Sequence, residues 1–304
     1  MSEKSFFGGK AAPFLAACCA ILWSCAFPLI KTGLSEFAIS SDDTFSQMLF
    51  AGVRFIAAGI CVLLISPASG KRSAAEKKSV PILLLFGLVN TALHYLFFYV
   101  GLSASTGSRS AVIDSMSTFI LIAVSGIVFP DDKFTRRKLF GCILGICGII
   151  TIYIGKGDLS GELTLRGDGM MIMSALFSAC GGLLTRTALK KTDPFYATGI
   201  SLAFGGLLLS GSGLFFGGRF GAFTLKGLMI LSALIFISAA GFAVYNRLIC
   251  ENPISRIAIF NSLIPLMGIV LSCLFLGEPF DIRYIAAGLL SAAGIFTVNS
   301  SSGK

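Results

Sequence analysis

Three ionisable side chains interrupt runs of residues that are otherwise apolar. Arg54 lies in MLFAGVRFIAAGICVLLI (48–65), His94 in ALHYLFFYVG (92–101) and Asp114 in SAVIDSMSTFILIAV (110–124). A guanidinium can hold a carboxylate, a carboxylate can hold an ammonium or exchange a proton, and an imidazole titrates near neutrality and can relay one. His94 is the only histidine in the chain, and Asp114 is the only acid well inside an apolar run. At the centre of a bilayer an arginine costs about 2.5–3.5 kcal/mol, so Arg54 has to be compensated or used.

Further polar and aromatic residues share these surroundings. Tyr95 and Tyr99 follow His94 by one and five positions, which puts all three on one broad helical face. Trp23 and Ser24 stand in LWSCAFPLI (22–30), where Pro28 leaves the carbonyl of Ser24 without its helical donor. Pro265 does the same to Asn261. Interrupted helices of this kind bind ligands in transporters, although a packing kink accounts for the prolines equally well. Tyr245 and Asn246 in AAGFAVYNRLICENP (239–253) supply a second polar wall, and Arg247 and Glu251 are spaced to bridge. The candidate substrate-binding set is therefore Trp23, Ser24, Arg54, His94, Tyr95, Tyr99, Asp114, Tyr245, Asn246 and Asn261.

Several other chemistries are disfavoured. All nine cysteines sit in or beside apolar runs, with no CxxC and no cluster with the histidine, so neither a metal site nor a disulfide framework is expected. No phosphate-binding loop of the ATPase type occurs, and no cofactor is expected. An intramembrane enzyme acting on lipid-like substrates would need a nucleophile with its base, or a metal cluster, at depth; one histidine and one deep acid supply neither. A non-transporting scaffold is the third class, and it would need no doubled cavity.

The elements that position these residues are membrane helices. With 55% of its 304 residues hydrophobic and only 13% charged, the chain carries more apolar surface than a soluble domain can bury. Ten runs are long enough to cross: about 13–34, 46–66, 81–102, 107–129, 137–154, 167–189, 194–217, 224–249, 254–276 and 283–299. The net charge of +9 sits in short clusters between runs and reports orientation, not a nucleic-acid surface. Lys71, Arg72, Lys77 and Lys78 make loop 67–80 basic. Lys133 and Arg136–Lys138 do so for 130–138, and Lys190 and Lys191 for 190–193, whereas loop 35–45 is acidic. Both termini are therefore expected in the cytoplasm, with the chain in the inner or plasma membrane. Counting about 1.5 Å per residue, Arg54, His94 and Asp114 reach a similar depth below the outer face, which suggests that Asp114 holds Arg54 directly or through His94 or water.

The chain also repeats itself. SRSAVIDSMSTFILIAVSGIVF (108–129) aligns with SRIAIFNSLIPLMGIVLSCLFL (255–276), with Arg109 over Arg256 and Asp114 over Asn261. DKFTRRKLFGCILGICGI (132–149) matches EPFDIRYIAAGLLSAAGI (278–295) after a slip of one residue. Two halves, 1–155 and 156–304, each supply five crossings; since five is odd, the second half enters the membrane inverted. Inverted repeats mark alternating-access transporters, with the substrate site at the repeat interface.

The helix spacing, VRF at 53–55, NSLIPLMGIVLSCLFLGEPF at 261–280 and GLLSAAGIF at 288–296 resemble the EamA-like branch of the drug/metabolite transporter superfamily over nearly the whole chain. The first half departs from that pattern: Thr118 stands opposite Pro265, and Asp131–Asp132 replace Gly277–Glu278. The resemblance implies an all-α membrane protein of two inverted five-helix repeats that moves small metabolites, amino acids or drugs, often outward. An importer of the same fold is the variant reading. Proton coupling through Asp114 and uncoupled movement both fit, as do a monomer and a weak homodimer; membrane lipid and a small solute are the expected partners.

Overall fold

The computed structural model describes residues 7, 11–66, 79–128, 135–153, 163–189, 192–252, 257 and 259–299. The boundary at 155/156, Lys4, Lys10, Lys71, Arg72, Lys77, Lys78, Asp131–Lys133, Lys190, Lys191 and Arg256 lie outside them. The described residues form ten helical rods close to the expected crossings. In the first half these are α1 (Ala11–Glu36), α2 (Thr44–Ile65), α3 (Val80–Ser103), α4 (Gly107–Asp114 and Met116–Val128) and α5 (Arg136–Tyr153). In the second half they are α6 (Leu165–Gly169 and Met170–Ala188), α7 (Pro194–Phe215), α8 (Leu225–Glu251), α9 (Ile259–Ser262 and Leu263–Leu276) and α10 (Ile282–Asn299). Among the described residues, seven of the rods are apolar and long enough to cross a membrane, and two more, in α9 and α10, are shorter and apolar.

Side chains at the helix starts take up backbone N–H groups that have no intrahelical partner. Asp43 accepts from Ser46 N, Thr106 from Arg109 N, Thr164 from Gly167 N and Thr224 from Gly227 N. Asp193 accepts from the amides of Phe195 and Tyr196, with Pro194 set in the first turn, where its missing N–H costs nothing.

The two prolines sit in different surroundings. α1 runs through Pro28 as one helix, and Pro265 falls in the first turn of Leu263–Leu276, where a missing donor leaves no gap. α4 breaks instead at Ser115, without a proline: the Ser115 hydroxyl donates to the Val112 carbonyl at 2.6 Å and competes with the helical ladder. In α9 the corresponding stretch is a 3-10 turn, Ile259–Ser262. Asp114 immediately precedes the first interruption and its repeat mate Asn261 lies within the second.

Exchanging the two halves maps the packing onto itself. α1 packs on α8 and α9, and α6 packs on α3 and α4; α2 meets α8 as α7 meets α3. The pairs α2–α7, α4–α9 and α5–α10 each map onto themselves.

The direction of those self-paired helices fixes the inversion. Along α2 and α7, Phe45 and Leu49 meet Gly213, Gly52 meets Ser210, Gly59 meets Ala203 and Leu63 meets Gly199. One number rises as the other falls, so the equivalent helices are antiparallel. α5 and α10 repeat the pattern, Gly141 with Val298, Gly145 with Gly294 and Gly148 with Ser291 and Ala287. The repeats are inverted.

Both seams depend on small residues, because lipid tails give no hydrophobic drive to helix association and close backbone approach replaces it. A Cβ on Gly59 would lie 2.5 Å from the backbone nitrogen of Ala203, which cannot give way. Away from the seams, α5 turns Leu139, Phe140, Ile143, Ile146 and Ile150 outward, a face suited to acyl chains. Gly59→Val is expected to lower stability by about 1–3 kcal/mol through overpacking. Gly211→Ala, at a site with nothing within 4 Å, should leave it unchanged or slightly raised. Thermal unfolding of both variants in detergent checks this.

Candidate functional site

Arg54 is 2% exposed and reaches across the repeats from α2. Its Nε donates to Ser238 Oγ at 2.8 Å and to the Leu234 carbonyl at 3.2 Å, both on α8. Nη1 donates to the Tyr99 hydroxyl at 2.9 Å, and Cζ lies 4.9 Å from the centre of the Phe55 ring. The expected Arg54–Asp114 pair is not formed, nor does His94 bridge the two. Three neutral oxygens hold the guanidinium, and Tyr95 lies within electrostatic range of both charges.

His94 is a packing residue. Its Nδ1 lies 3.0 Å from the Ser174 carbonyl and 3.1 Å from Ser174 Oγ, tying α3 to α6. Asn246 is likewise engaged, donating to Thr198 Oγ1 at 2.8 Å, beside the Thr91–Ser201 hydroxyl contact of 3.1 Å. Asn246, Thr198 and Ser201 line a narrow cleft with Phe86, Asn90, Leu202 and Phe242, too tight to admit a water molecule. Asn90 and Thr91 belong to a π-helical stretch, Leu88–Leu93, that re-aims the following turn of α3.

The remaining candidates gather on one wall. Trp23 packs on Tyr245 at 4.9 Å and on Phe242 at 5.3 Å between ring centres. Its indole nitrogen occupies the space that a side chain at Gly241 would fill. Tyr245 accepts a hydrogen bond from Asn261 Nδ2 at 3.0 Å, which links α8 to α9. Tyr95 stands 6.3 Å from Phe242 and 4.3 Å from His94, and Asp114 lies within electrostatic range of it. Ser24 lies at its edge, donating to Ala20 O at 2.8 Å, with the Ile264 carbonyl 3.5 Å away.

Three buried polar atoms of the candidate residues have no hydrogen-bond partner: Trp23 Nε1, Asp114 Oδ1 and Asn261 Oδ1. Buried polar atoms are nearly always paired, so each such gap needs a reason. The three come from α1, α4 and α9; Asp114 precedes one helix interruption and Asn261 lies within the other. Tyr99, by contrast, belongs to the Arg54 cluster.

Sequence reasoning missed several residues. Phe242 is recoverable in principle, three positions before Tyr245 and so on its face. Ser238, Leu234 and Ser174 carry no such signal, because their role lies in the packing. The buried Arg109–Asp168 ion pair, 2.7 Å, joins α4 to α6 and was likewise unforeseen. Glu278 accepts from Gly107 N, Ser108 N and Ser108 Oγ at 2.6, 3.0 and 2.7 Å and so anchors the start of α4. At the opposite end the expected Arg247–Glu251 bridge is present at 2.5 Å, with Asp193 3.9 Å from the same guanidinium.

Ten helices in two inverted five-helix repeats, with an unpaired polar wall where the repeats meet, define a multi-pass membrane protein of the secondary-transporter class. The EamA-like transporter family matches residues 10–154 and again 165–300, and the chain belongs to that family. It is 28% identical over 293 residues to the uncharacterized transporter YvbV of Bacillus subtilis, covering 95% of this chain and 91% of that one. It is 24% identical over 299 residues to a protein of Salmonella typhimurium named "Probable amino-acid metabolite efflux pump", covering 93% of each. A solved crystal structure superposes with a TM-score of 0.70 at 13% identity, over 95% of this chain and 97% of that one, which shows the shared fold. The chain is a transporter rather than an enzyme, and its substrate is a small molecule.

The bonding around Arg54 yields a stability test. In double-mutant cycles, Arg54→Met with Ser238→Ala should couple by about 1.5–3 kcal/mol, the range for a hydrogen bond to a charged group. Arg54→Met with Asp114→Asn should couple less. The reverse order, measured by unfolding in detergent, would restore the ion pair.

Proposed function

We propose that the protein exports a small nitrogenous metabolite by alternating access, through the space between the halves 1–155 and 156–304. Trp23, Tyr95, Asp114, Tyr245 and Asn261 contact the substrate. Arg54 and Tyr99 support the site without touching the substrate. The observation that carries this reading is the set of unpartnered polar atoms on Trp23, Asp114 and Asn261, in helices from both repeats. A passing solute that supplies the missing partners, and then leaves, accounts for their being unpaired.

The outer end of the bundle is bolted in this conformation. Lys31 donates to the carbonyls of Leu102 and Ser105, Glu278 holds the start of α4, and Arg166 Nη2 donates to Ser41 O at 3.0 Å and to Thr44 Oγ1 at 2.9 Å. Closure there corresponds to the stage of the cycle in which substrate exchanges with the cytoplasm, given both termini inside. The basic loops at the opposite end of the helices, the end that carries the termini, support this orientation. Outward direction also draws on the efflux name of the Salmonella relative. Asp114 is the group on which substrate and proton would compete, coupling export to the proton gradient. One chain supplies both walls, so the monomer is the transporting unit.

Counterflow in proteoliposomes across a panel of labelled metabolites tests the reading. Asp114→Asn is expected to lower the flux of the carried solute at least tenfold, with the thermal midpoint essentially unchanged, because no hydrogen bond of Asp114 Oδ1 is lost. Wild-type flux in that variant would remove Asp114 from the mechanism.

A further inference from the structure

We propose that the site takes organic amines in their protonated form, without an accompanying carboxylate: arylalkyl monoamines rather than amino acids. The inference rests on the substrate wall argued above and names the chemical class that fits it.

A zwitterion needs two complementary charges from its site, and among the described residues the wall offers the negative one without a free cation. Arg54, the residue best suited to a carboxylate, is 2% exposed and is drawn to Tyr99, Ser238 and the Leu234 carbonyl. The cations on the helices that frame the wall are engaged as well. On α1, Lys31 donates to two backbone carbonyls; on α4, Arg109 pairs with Asp168. On α8, Lys226 pairs with Glu36 at 2.7 Å and Arg247 with Glu251. α3 and the described part of α9 contain no lysine or arginine.

The groups that remain suit an ammonium. Asp114 Oδ1 and Asn261 Oδ1 are buried acceptors without donors, and an ammonium carries three N–H donors and no acceptor. Tyr245, Trp23, Phe242 and Tyr95 form a chain of ring contacts that runs from Asn261, hydrogen-bonded to Tyr245, to Tyr95, within electrostatic range of Asp114, and aromatic faces attract cations. A substrate carboxylate on the same wall would meet the Asp114 charge and, among the described residues, no cation free to pair with it, which selects against amino acids by repulsion as well as by lack of a partner.

Three probes that share one ring and chain separate the possibilities: tyramine, tyrosine and 3-(4-hydroxyphenyl)propionate. Binding to the full chain in detergent is measured by calorimetry, and flux of each in proteoliposomes. Tyramine should bind at least tenfold more tightly than tyrosine, the propionate should not bind, and Asp114→Asn should weaken tyramine at least tenfold. The wild-type series stands alone if that variant does not fold. Tyrosine or the propionate binding as tightly as tyramine, or no binding of tyramine, would overturn the amine assignment, and flux of tyrosine would then leave transport intact. Tyramine binding without flux of any probe upholds the amine site and counts against transport.

Discussion

The close approach of α2 to α7 is the constraint on which the remaining architecture depends. Gly52, Gly59, Gly199, Gly206 and Gly213 bring the two backbones nearer than any side chain permits, and they do so along an antiparallel line. These helices are the second crossings of their respective halves, so their opposed directions set the two repeats upside down to one another. The α5–α10 seam applies the same constraint with Gly141, Gly145 and Gly294. In lipid, where apolar surface gains nothing by leaving the solvent, such contacts and the hydrogen bonds they permit are what hold helices in place.

From that frame the placement of charge follows. Arg54 sits between Gly52 and Gly59 on α2 and passes over to α8, where a serine hydroxyl, a backbone carbonyl and a tyrosine from α3 receive it. It works as a bolt between the repeats, and its cost is offset by neutral oxygens rather than by an acid. Asp114 is thereby left without a counter-ion. Its mate Asn261 occupies the symmetric position with no charge, so the carboxylate is not something the fold requires. The near-symmetric frame thus carries an asymmetric site, with the acid on one repeat and the Tyr245–Asn261 hydrogen bond on the other.

The crossings, the doubling and the family were legible in the sequence, because apolar runs of about 20 residues report helices in lipid directly. The repeat blocks also placed Asp114 opposite Asn261 before any coordinates. What failed was the pairing of Arg54 with Asp114. Depth along a helix axis follows from counting residues, but the direction in which a side chain points around that axis depends on which neighbour the helix packs against. Arg54 turns to α8, a helix from the other half, and Ser238 and Leu234 carry no mark of that role. Likewise α1 runs on through Pro28, whereas Ser115, an inconspicuous residue, breaks α4 through its own hydroxyl.

Crosslinking across the α2–α7 seam tests the inverted arrangement most directly. In a background without the native cysteines, Phe45→Cys with Phe216→Cys should join at one end, where those rings now stack at 5.0 Å. Leu63→Cys with Gly199→Cys should join at the other. Oxidation of the pairs 45/216 and 63/199, with none of 45/199 or 63/216, is the predicted result. The opposite pattern would mean that α2 and α7 run parallel, and the account of an inverted transporter would not survive it.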